Sequence, residues 1–348
     1  MAGITHLEQF KKPALRGFVE ASQKAHFEEL AFVEQFIGND TTYNTNFAYD
    51  VLERSQFIAA MIGLGAEKPV VDRHKAGKVM GELAHFGLQD VVSIEELYAI
   101  NEARNDAEKA AMIDKLLNKS ADLLFALQLR IRVEKLKALA LGKNKYDKNG
   151  VKVELDYGIP EAHKIALLSK SDWKVKDRDV LADLLGWVEI YRKSNGRKPD
   201  AMLVPREVVN ALTDNKTIVA EARPNVPGAT RVSVAEVNEV LGRYGLPELQ
   251  IVEETEVETT DLETGKKVST VVFPKNRIVF AAKDAGVFLT GPNPDDENFA
   301  PVTTLEAYDL RTPKRSVLEV AQTGFAILDK PSLVLHADVF GGDVSEHH

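Results

Sequence analysis

The sequence contains no cysteine. This absence excludes disulfide bonds, thiol nucleophiles, and zinc or iron–sulfur sites built on cysteine ligands. A chain without cysteine fits a protein made in a reducing cytoplasm. The folded chain must then hold together without covalent sulfur links.

Long apolar runs and familiar catalytic motifs are also missing. No stretch approaches the roughly 18 apolar residues that a membrane helix needs, and the N-terminal MAGITHLEQFKKPALRGF lacks the shape of a signal peptide. The sequence has no phosphate-binding GxxxxGK[ST] loop, no GxSxG nucleophile turn and no HExxH zinc motif. We therefore expect no membrane partner, no cofactor, no metal site and no catalytic residues.

An excess of positive charge is absent as well. Lysine and arginine number 44 against 53 aspartates and glutamates, which gives a formal net charge of -9. General attraction to nucleic acid needs clustered lysine and arginine, so the composition argues against a general DNA-binding protein. With 348 residues, 44% hydrophobic and 28% charged, the chain is long enough for two compact units with their own cores.

The most regular pattern lies between residues 105 and 141 and predicts one helix about 55 Å long, at about 1.5 Å per residue. Gly142 is a natural stop for it. The stripe lacks clean heptads, so a structural spine is favoured over a coiled coil. Its apolar positions recur at steps of three, four or seven: Ile113, Leu117, Ala121, Leu124, Leu127 and Ile131.

The end of this helix, RIRVEKLKALALGKNK, is rich in lysine and arginine. These side chains could contact phosphates. The favoured interpretation is a solvated helix end, balanced by Glu134 and Asp147.

Two irregular segments precede the helix. Residues 1–47 contain short helical pieces with scattered phenylalanines and indicate an arm rather than a domain. Residues 48–93 mix small, apolar and charged residues, and a compact domain would seldom carry them without tertiary support. They predict a long, protruding two-stranded loop with its tip near Asp72 to Lys78.

The remainder of the chain alternates helical and strand patterns. NKYDKNGVKVELDYG predicts a hairpin with its turn at Asn149-Gly150, Val180 to Lys193 predicts an amphipathic helix, and AMLVP predicts a buried strand. Further strands and helices follow, and the last third alternates as sheet strands do. The sequence therefore predicts an α+β fold with an antiparallel-rich sheet.

The segment DWKVKDRDVLADLLGW raises the question of a metal or acid–base site. It carries Asp172, Asp177, Asp179 and Asp183 between the only two tryptophans. Interleaved lysine and arginine would neutralise such a cluster. Asp179 precedes the apolar-periodic Val180 as a helix N-cap should, and the start of a helix is the favoured interpretation.

The histidines form no pair at metal-ligand spacing within a predicted helix. The favoured interpretation is that they are solvated or contact side chains rather than catalytic groups. The set comprises His6, His26, His74, His85, His163, His336, His347 and His348, the last two in a C-terminal tail, 341–348.

Five stretches, taken together, resemble a known family in their order and spacing. VKVELDYG directly follows the long helix, SDWKVKDRDVLADLLGWVEIYRKSNGRKPDAMLVPREVVNAL comes next, and YGLPELQIVEE carries a Gly-Leu-Pro turn. FPKNRIVFAAKDAGVFLTGP and RSVLEVAQTGFAILDKPSLVLHADV complete the set. They resemble the major capsid proteins of tailed bacteriophages, specifically the lambda-type capsid protein E family. The resemblance covers about residues 150–340, and before that it rests on the layout of the chain.

The resemblance implies the tailed-phage major capsid (Johnson, Hong-Kong-ninety-seven-type) fold. The implied parts are an N-terminal arm (1–47), an extended loop (48–93), a peripheral domain with the spine helix (94–160 and 300–340), and an axial domain (161–299). The implied function is non-enzymatic: self-assembly into the pentamers and hexamers of an icosahedral head, made in the host cytoplasm, that encloses double-stranded DNA. Implied partners are a scaffolding protein, because no long acidic N-terminal extension is present, and a portal; a decoration protein is left open.

Contacts between subunits are expected in the loop and in the arm. Loop charges would pair across the contact and its apolar residues would be covered, while arm phenylalanines would lie along neighbours. The expected loop residues are Val70, Val71, Asp72, Arg73, Lys75, Lys78, Val79, Met80 and Glu82. The expected arm residues are Phe10, Phe18, Phe27 and Phe36.

Three other classes stay open at this stage. An encapsulin-like compartment shell would share the fold and carry a cargo enzyme in place of a genome. A metal-dependent hydrolase would use the aspartates of 172–183. A filament or adhesion protein would differ in particle symmetry.

Overall fold

The computed structural model describes residues 3–24, 30–52, 75–148, 151–168, 172–226, 228–260 and 266–341. Within these ranges the chain is α+β. The α-helices are α1 (Lys12–Lys24), α2 (Ile94–Asn101), α3 (Asp106–Leu141), α4 (Val180–Asn195), α5 (Arg206–Thr213), α6 (Lys216–Ala222) and α7 (Val234–Arg243). The strands are β1 (Ile37–Thr41), β2 (Asn46–Leu52), β3 (Lys75–Glu82), β4 (Ala84–Val92), β5 (Lys143–Lys148), β6 (Val151–Asp156), β7 (Lys164–Ala166), β8 (Ala201–Pro205), β9 (Leu249–Val252), β10 (Glu256–Thr260), β11 (Lys267–Val271), β12 (Arg277–Ala281), β13 (Gly286–Thr290), β14 (Thr304–Arg311), β15 (Lys314–Ile327) and β16 (Val334–Asp338).

The spine helix α3 begins and ends where local chemistry predicts. Asn105 caps it by accepting a 2.8 Å hydrogen bond from the Glu108 amide. Gly142 ends it in the left-handed conformation, with φ of 67°, which glycine adopts without a steric cost. The buried stripe differs by one position from the predicted one, since Leu116 and Ser120 are fully buried in place of Leu117 and Ala121.

Helix α3 packs against the first of two five-stranded sheets. In this sheet β1 pairs in parallel with β13, β13 pairs with β15, and β15 also pairs with β14 and β4. One face of β4–β15–β14 carries Val320 and Leu305, which belong to the core, and Leu88, which is partly buried and packs against it. The opposite face carries Gln89, Glu319 and Glu306, but Val317 and Ala321 of β15 are buried there as well.

The second five-stranded sheet has the order β7-β16-β12-β8-β9. Its β8 segment is buried at every position, as predicted for AMLVP. Arg277 joins this sheet to the spine. Its guanidinium donates to both oxygens of Asp338 at 2.7 and 2.9 Å and to the Ala140 carbonyl at 3.0 Å.

Three further pairs of strands form separate two-stranded sheets: β2–β3, β5–β6 and β10–β11. The first matches the predicted two-stranded loop, but residues 75–78 of its predicted tip lie in β3 instead. Lys75 pairs with Leu52 and Lys78 with Asp50, so both are strand residues. Residues 53–74, which join the strands, lie outside the described residues, as does the predicted turn at 149–150.

Four strands pair with strands that the predicted boundaries place in another part of the chain, and the boundaries themselves stay a prediction. β1 of the predicted arm, β4 of the predicted loop and β13 of the predicted axial domain all join the sheet under the spine helix. β16, placed in the peripheral domain, joins the other sheet. The β1–β13 and β4–β15 pairings connect residues more than 200 positions apart, which periodicity does not report.

Candidate functional site

The aspartates of residues 172–183 each have a separate structural partner. Asp172 accepts the Lys174 amide at 2.8 Å, and Asp177 lies 2.6 Å from the Lys216 ammonium. Asp179 accepts the Ala182 amide at 3.0 Å as the N-cap of α4. Asp183 accepts from Trp173 Nε1 at 3.0 Å and from the Arg178 guanidinium at 2.6 and 2.9 Å.

These aspartates therefore begin a helix. Within the described ranges, no three histidine, aspartate or glutamate side chains converge as metal ligands. Trp173 stacks on Trp187 with ring centroids 5.5 Å apart, and Phe280 meets Trp187 edge-on at 6.4 Å. The segment anchors α4 to the second sheet.

Of the two states predicted for the histidines, solvated or in contact, two of them adopt the second. His163 and His336 are buried, at 0% and 4% exposure. His336 Nε2 donates to the Leu139 carbonyl at 2.8 Å, and His163 Nδ1 donates to Val334 at 3.0 Å. Burial lowers the pKa of both, that of His336 to about 3, so both are neutral structural donors near neutral pH. His26, His74, His347 and His348 lie outside the described residues.

The charged end of the spine helix is also buried, contrary to the predicted solvated end. Arg132 and Lys135 are 8% and 1% exposed. Arg132 donates to Glu34 at 3.1 Å, and Lys135 Nζ donates to Asn39 at 2.7 Å. Because both cations are buried and hydrogen-bonded within the subunit, neither is available to contact phosphates.

Glu134 is the predicted counter-charge, but it too is buried, at 4% exposure. It lies 2.8 Å from Arg130 and 3.6 Å from Lys137, and it accepts from Asn144 at 2.9 Å. A sequence signal for this burial exists. Apolar residues occupy every side of the helix from Ile131 onward, as in a helix surrounded by protein.

The predicted loop residues fall into three groups. Glu82 ends β3 and is exposed. Strand β3 also contains Lys75, Lys78, Val79 and Met80, whose backbone pairs with β2. Val70, Val71, Asp72 and Arg73 lie outside the described residues. The contacts predicted for all nine stay predictions.

Two of the arm phenylalanines that were predicted to contact neighbouring subunits are buried within their own subunit in this conformation. Phe10 and Phe36 are 2% and 0% exposed and pack in the subunit's own core, so neither ring has free surface for a neighbour. Phe18 is half-buried against the same core. Phe27 lies outside the described residues.

Comparison with known proteins bears directly on this arrangement. The sequence profile of the family described as phage major capsid protein E matches residues 25–317. The chain belongs to the phage major capsid protein E family. A search of curated proteins found no match.

Solved structures share the fold of this capsid protein E chain at low sequence identity. A protein assigned as the capsid protein of a prophage of E. coli CFT073 matches with a TM-score of 0.60 and 12% identity, over 94% of this chain and 98% of that one. A phage-related protein from Bordetella bronchiseptica RB50 matches with a TM-score of 0.56 and 10% identity, over 95% and 98%.

Family membership establishes the class of function. The chain is a major capsid protein, a non-enzymatic structural protein of the virion that assembles with copies of itself into an icosahedral phage head. A compartment shell and a hydrolase are not favoured. None of the described helices combines the length and apolar character of a membrane span.

Proposed function

We propose that this capsid protein E chain forms pentamers and hexamers that close around double-stranded DNA. The observation that supports the proposal most is the β2–β3 hairpin. It pairs with no third strand in the described part of the chain, and isolated two-stranded hairpins are marginally stable in water. A neighbouring copy would supply the missing packing surface.

The hairpin is anchored firmly at its base. The Leu83 amide donates to Thr45 at 3.0 Å, and the Thr42 amide donates to Thr290 of β13 at 2.8 Å. β3 is followed almost at once by β4, which pairs with β15 over nine residues. A load on the hairpin would therefore pass into the sheet beneath the spine helix.

In the proposed contact, the loop lies over a neighbouring subunit. Asp72, Arg73, Lys75, Lys78 and Glu82 pair with charges there, and Val70, Val71, Val79 and Met80 are covered. Many weak contacts of this kind add up through multivalency. Lys78→Glu should reduce the yield of shells, measured by sedimentation, whereas Lys283→Glu, the same change at an exposed residue outside the loop, should not.

The proposed division of the chain keeps the arm, loop, peripheral and axial parts. Sheet membership supports assigning β1, β4 and β13 to the peripheral part with α3, and β16 to the axial part with α4 to α7. In the arm, Phe10 and Phe36 serve the subunit core, so contact with a neighbour through these rings would require the arm to leave its present position.

The proposed partners are further copies of the chain, a scaffolding protein and a portal, with a decoration protein left open. Assembly takes place in the host cytoplasm. DNA is the content of the shell and is not recognised by sequence. The net charge of -9 supports this, because an inner surface that bound DNA tightly would resist packaging and ejection.

Negative-stain electron microscopy of the purified chain, alone and with the presumed scaffold, tests the proposal. Closed icosahedral shells, or rings of five and six, are expected. A dispersed monomer or dimer under every condition would contradict it. Particles that hold a cargo enzyme instead of a genome would point to a cellular compartment.

A further inference from the structure

The β10–β11 hairpin is a second separate two-stranded sheet, inserted between β9 and β12. Its five residue pairs run from Glu256–Val271 to Thr260–Lys267 without a register shift. Among the described residues, neither strand hydrogen-bonds to a third strand. Both outer edges thus lack a neighbouring strand among the described residues, and neither strand carries the bulge or proline that often protects such an edge.

The two faces of this hairpin differ. Val257, Val268 and Thr270 lie on one face and are half-buried, with Val257 packed against the core. The exposed face carries acid on one strand and base on the other: Glu256 and Glu258 on β10, and Lys267, Ser269 and Val271 on β11.

These charges are only partly used within the chain. Lys267 Nζ lies 3.8 Å from Glu258, and their side chains remain 81% and 71% exposed. Glu256 lies 2.7 Å from Lys275, with the two side chains 39% and 53% exposed. Exposed pairs of this kind contribute little and can be shared with a further partner.

We infer that β10 of one copy pairs edge to edge with β11 of the next copy in a ring. Two β10 edges would bring glutamates together, and two β11 edges would bring lysines together, so both like pairings are opposed by charge. The pairing of β10 with β11 between two copies repeats the cross-strand pattern of acidic and basic residues that the hairpin has within one copy. It joins two different surfaces and is therefore heterologous, the type of contact that closes rings.

Strand direction agrees with this pairing. Hairpins placed side by side present β10, β11, β10 and β11 in alternating directions, so the contact between copies is antiparallel like the contact within each copy. Its main-chain hydrogen bonds would supply binding, as in other cases of strand addition, and the charges would select the edge. The inference rests on the proposed assembly into rings and names one surface that closes them.

Engineered cysteines can test the contact because the chain has none of its own. One chain carries Glu258→Cys and the other Lys267→Cys. Shells are formed from each chain alone and from an equal mixture, then treated with a bifunctional maleimide that spans about 8 Å, the distance of a diagonal cross-strand neighbour. Only the mixture should give a cross-linked dimer of two chains as a major product.

Each other result overturns the inference. A dimer from the Glu258→Cys chain alone would mean that β10 meets β10. Intact shells without a dimer in the mixture would mean that the edges do not meet, while the proposed capsid assembly would stand. A cross-link to the scaffolding protein would give the edge a different partner. Failure of the unmodified chain to form rings or shells would instead contradict the proposed function.

Charge exchange supplies a second measurement. Glu258→Lys should reduce the yield of shells, and adding Lys267→Glu should restore it, because the double exchange recovers complementary edges. Glu161→Lys is the matched control, since it reverses another exposed glutamate that also pairs with a lysine. Unchanged shell yield for Glu258→Lys, or no recovery in the double variant, would contradict the charge selection.

Discussion

Lys135 is an ionisable side chain placed where water does not reach it. Burial lowers its pKa to about 8, with Arg132 adding to the effect and Glu34 opposing it. Its ammonium keeps a hydrogen bond to Asn39 and lies 5.8 Å from the centre of the Phe288 ring. These two interactions offset part of the cost of removing the ammonium from water. The lowered pKa means that the charged form is still less favourable in the folded chain than in water.

The sign of the pH effect follows from that pKa. An unfolded lysine titrates near 10.4, so between pH 8 and 10.4 the unfolded chain binds the extra proton. The free energy of unfolding should therefore rise with pH across this window, by about 3 kcal/mol in total. Lys135→Met should lack this rise and should be more stable than the parent near pH 7. Denaturant unfolding of the isolated subunit at several pH values measures both.

Lys119→Met is the matched control for that measurement. Burial opposes the charge of Lys119 too, but the hydrogen bond to Glu96 and the charges of Asp90 and Glu96 outweigh it and raise the pKa. Its replacement should therefore lower stability near pH 7. Equal effects of the two substitutions would show that the environment of Lys135 is not what sets its contribution.

His336 predicts sensitivity to acid. Burial lowers its pKa to about 3, with the positive charge of Arg277 adding to the effect, against about 6.5 in an unfolded chain. As the pH falls below 6.5 the unfolded chain takes up a proton that the folded chain refuses, so stability is lost, by about 2 kcal/mol at a pH of about 5.

His336→Gln keeps a donor for the Leu139 carbonyl but cannot be protonated. Its free energy of unfolding should fall less than that of the parent between pH 7 and 5. A parent-like profile for His336→Gln would assign the acid sensitivity to other groups.

At the scale of the element, the end of the spine helix depends on one glycine. Gly142 has φ of 67°, and a Cβ there would lie 2.6 Å from Ile159 Cδ1 and 3.2 Å from His336 Cε1. Gly158 has a similar φ of 74°, but a Cβ there meets nothing within 4 Å. Substitutions at the two glycines can therefore distinguish the cost of backbone strain from the cost of a steric clash.

Gly158→Ala should cost about 1–2 kcal/mol, the strain of a left-handed alanine. Gly142→Ala should cost more, by at least about 1 kcal/mol, because the buried Ile159 must also move. Thermal or denaturant unfolding of both variants gives the comparison. Equal losses would mean that the junction of α3 with β5 has room to adjust.

At the scale of the whole molecule, the subunit must tolerate a genome as its neighbour. The acidic net charge of -9 and the burial of Arg132 and Lys135 leave fewer cations for phosphate contacts. Isolated subunits should bind duplex DNA weakly, with a shallow dependence on salt. Tight binding that weakens steeply between low and physiological salt, measured by fluorescence anisotropy, would contradict this view.

Local chemistry allowed several parts of the fold to be predicted. Asn105 and Gly142 bound the spine helix as the pattern indicated, and Asp179 caps α4. The two-stranded character of the 48–93 region and the hairpin after the spine were also visible, because alternation and turn residues act over a few positions. The family resemblance, confirmed by the profile match over residues 25–317, rested on the order of such segments.

Long-range pairing was decided only in three dimensions. Strand β1 meets β13, and β16 meets β12 and β7, because sheets are completed by whichever edges the folded chain brings together. The buried states of Arg132, Lys135, His163 and His336 have the same origin. A sequence shows that a side chain can be charged. Its environment, and therefore its pKa and its availability to a partner, depends on segments that lie 96 to 197 residues away for these four side chains.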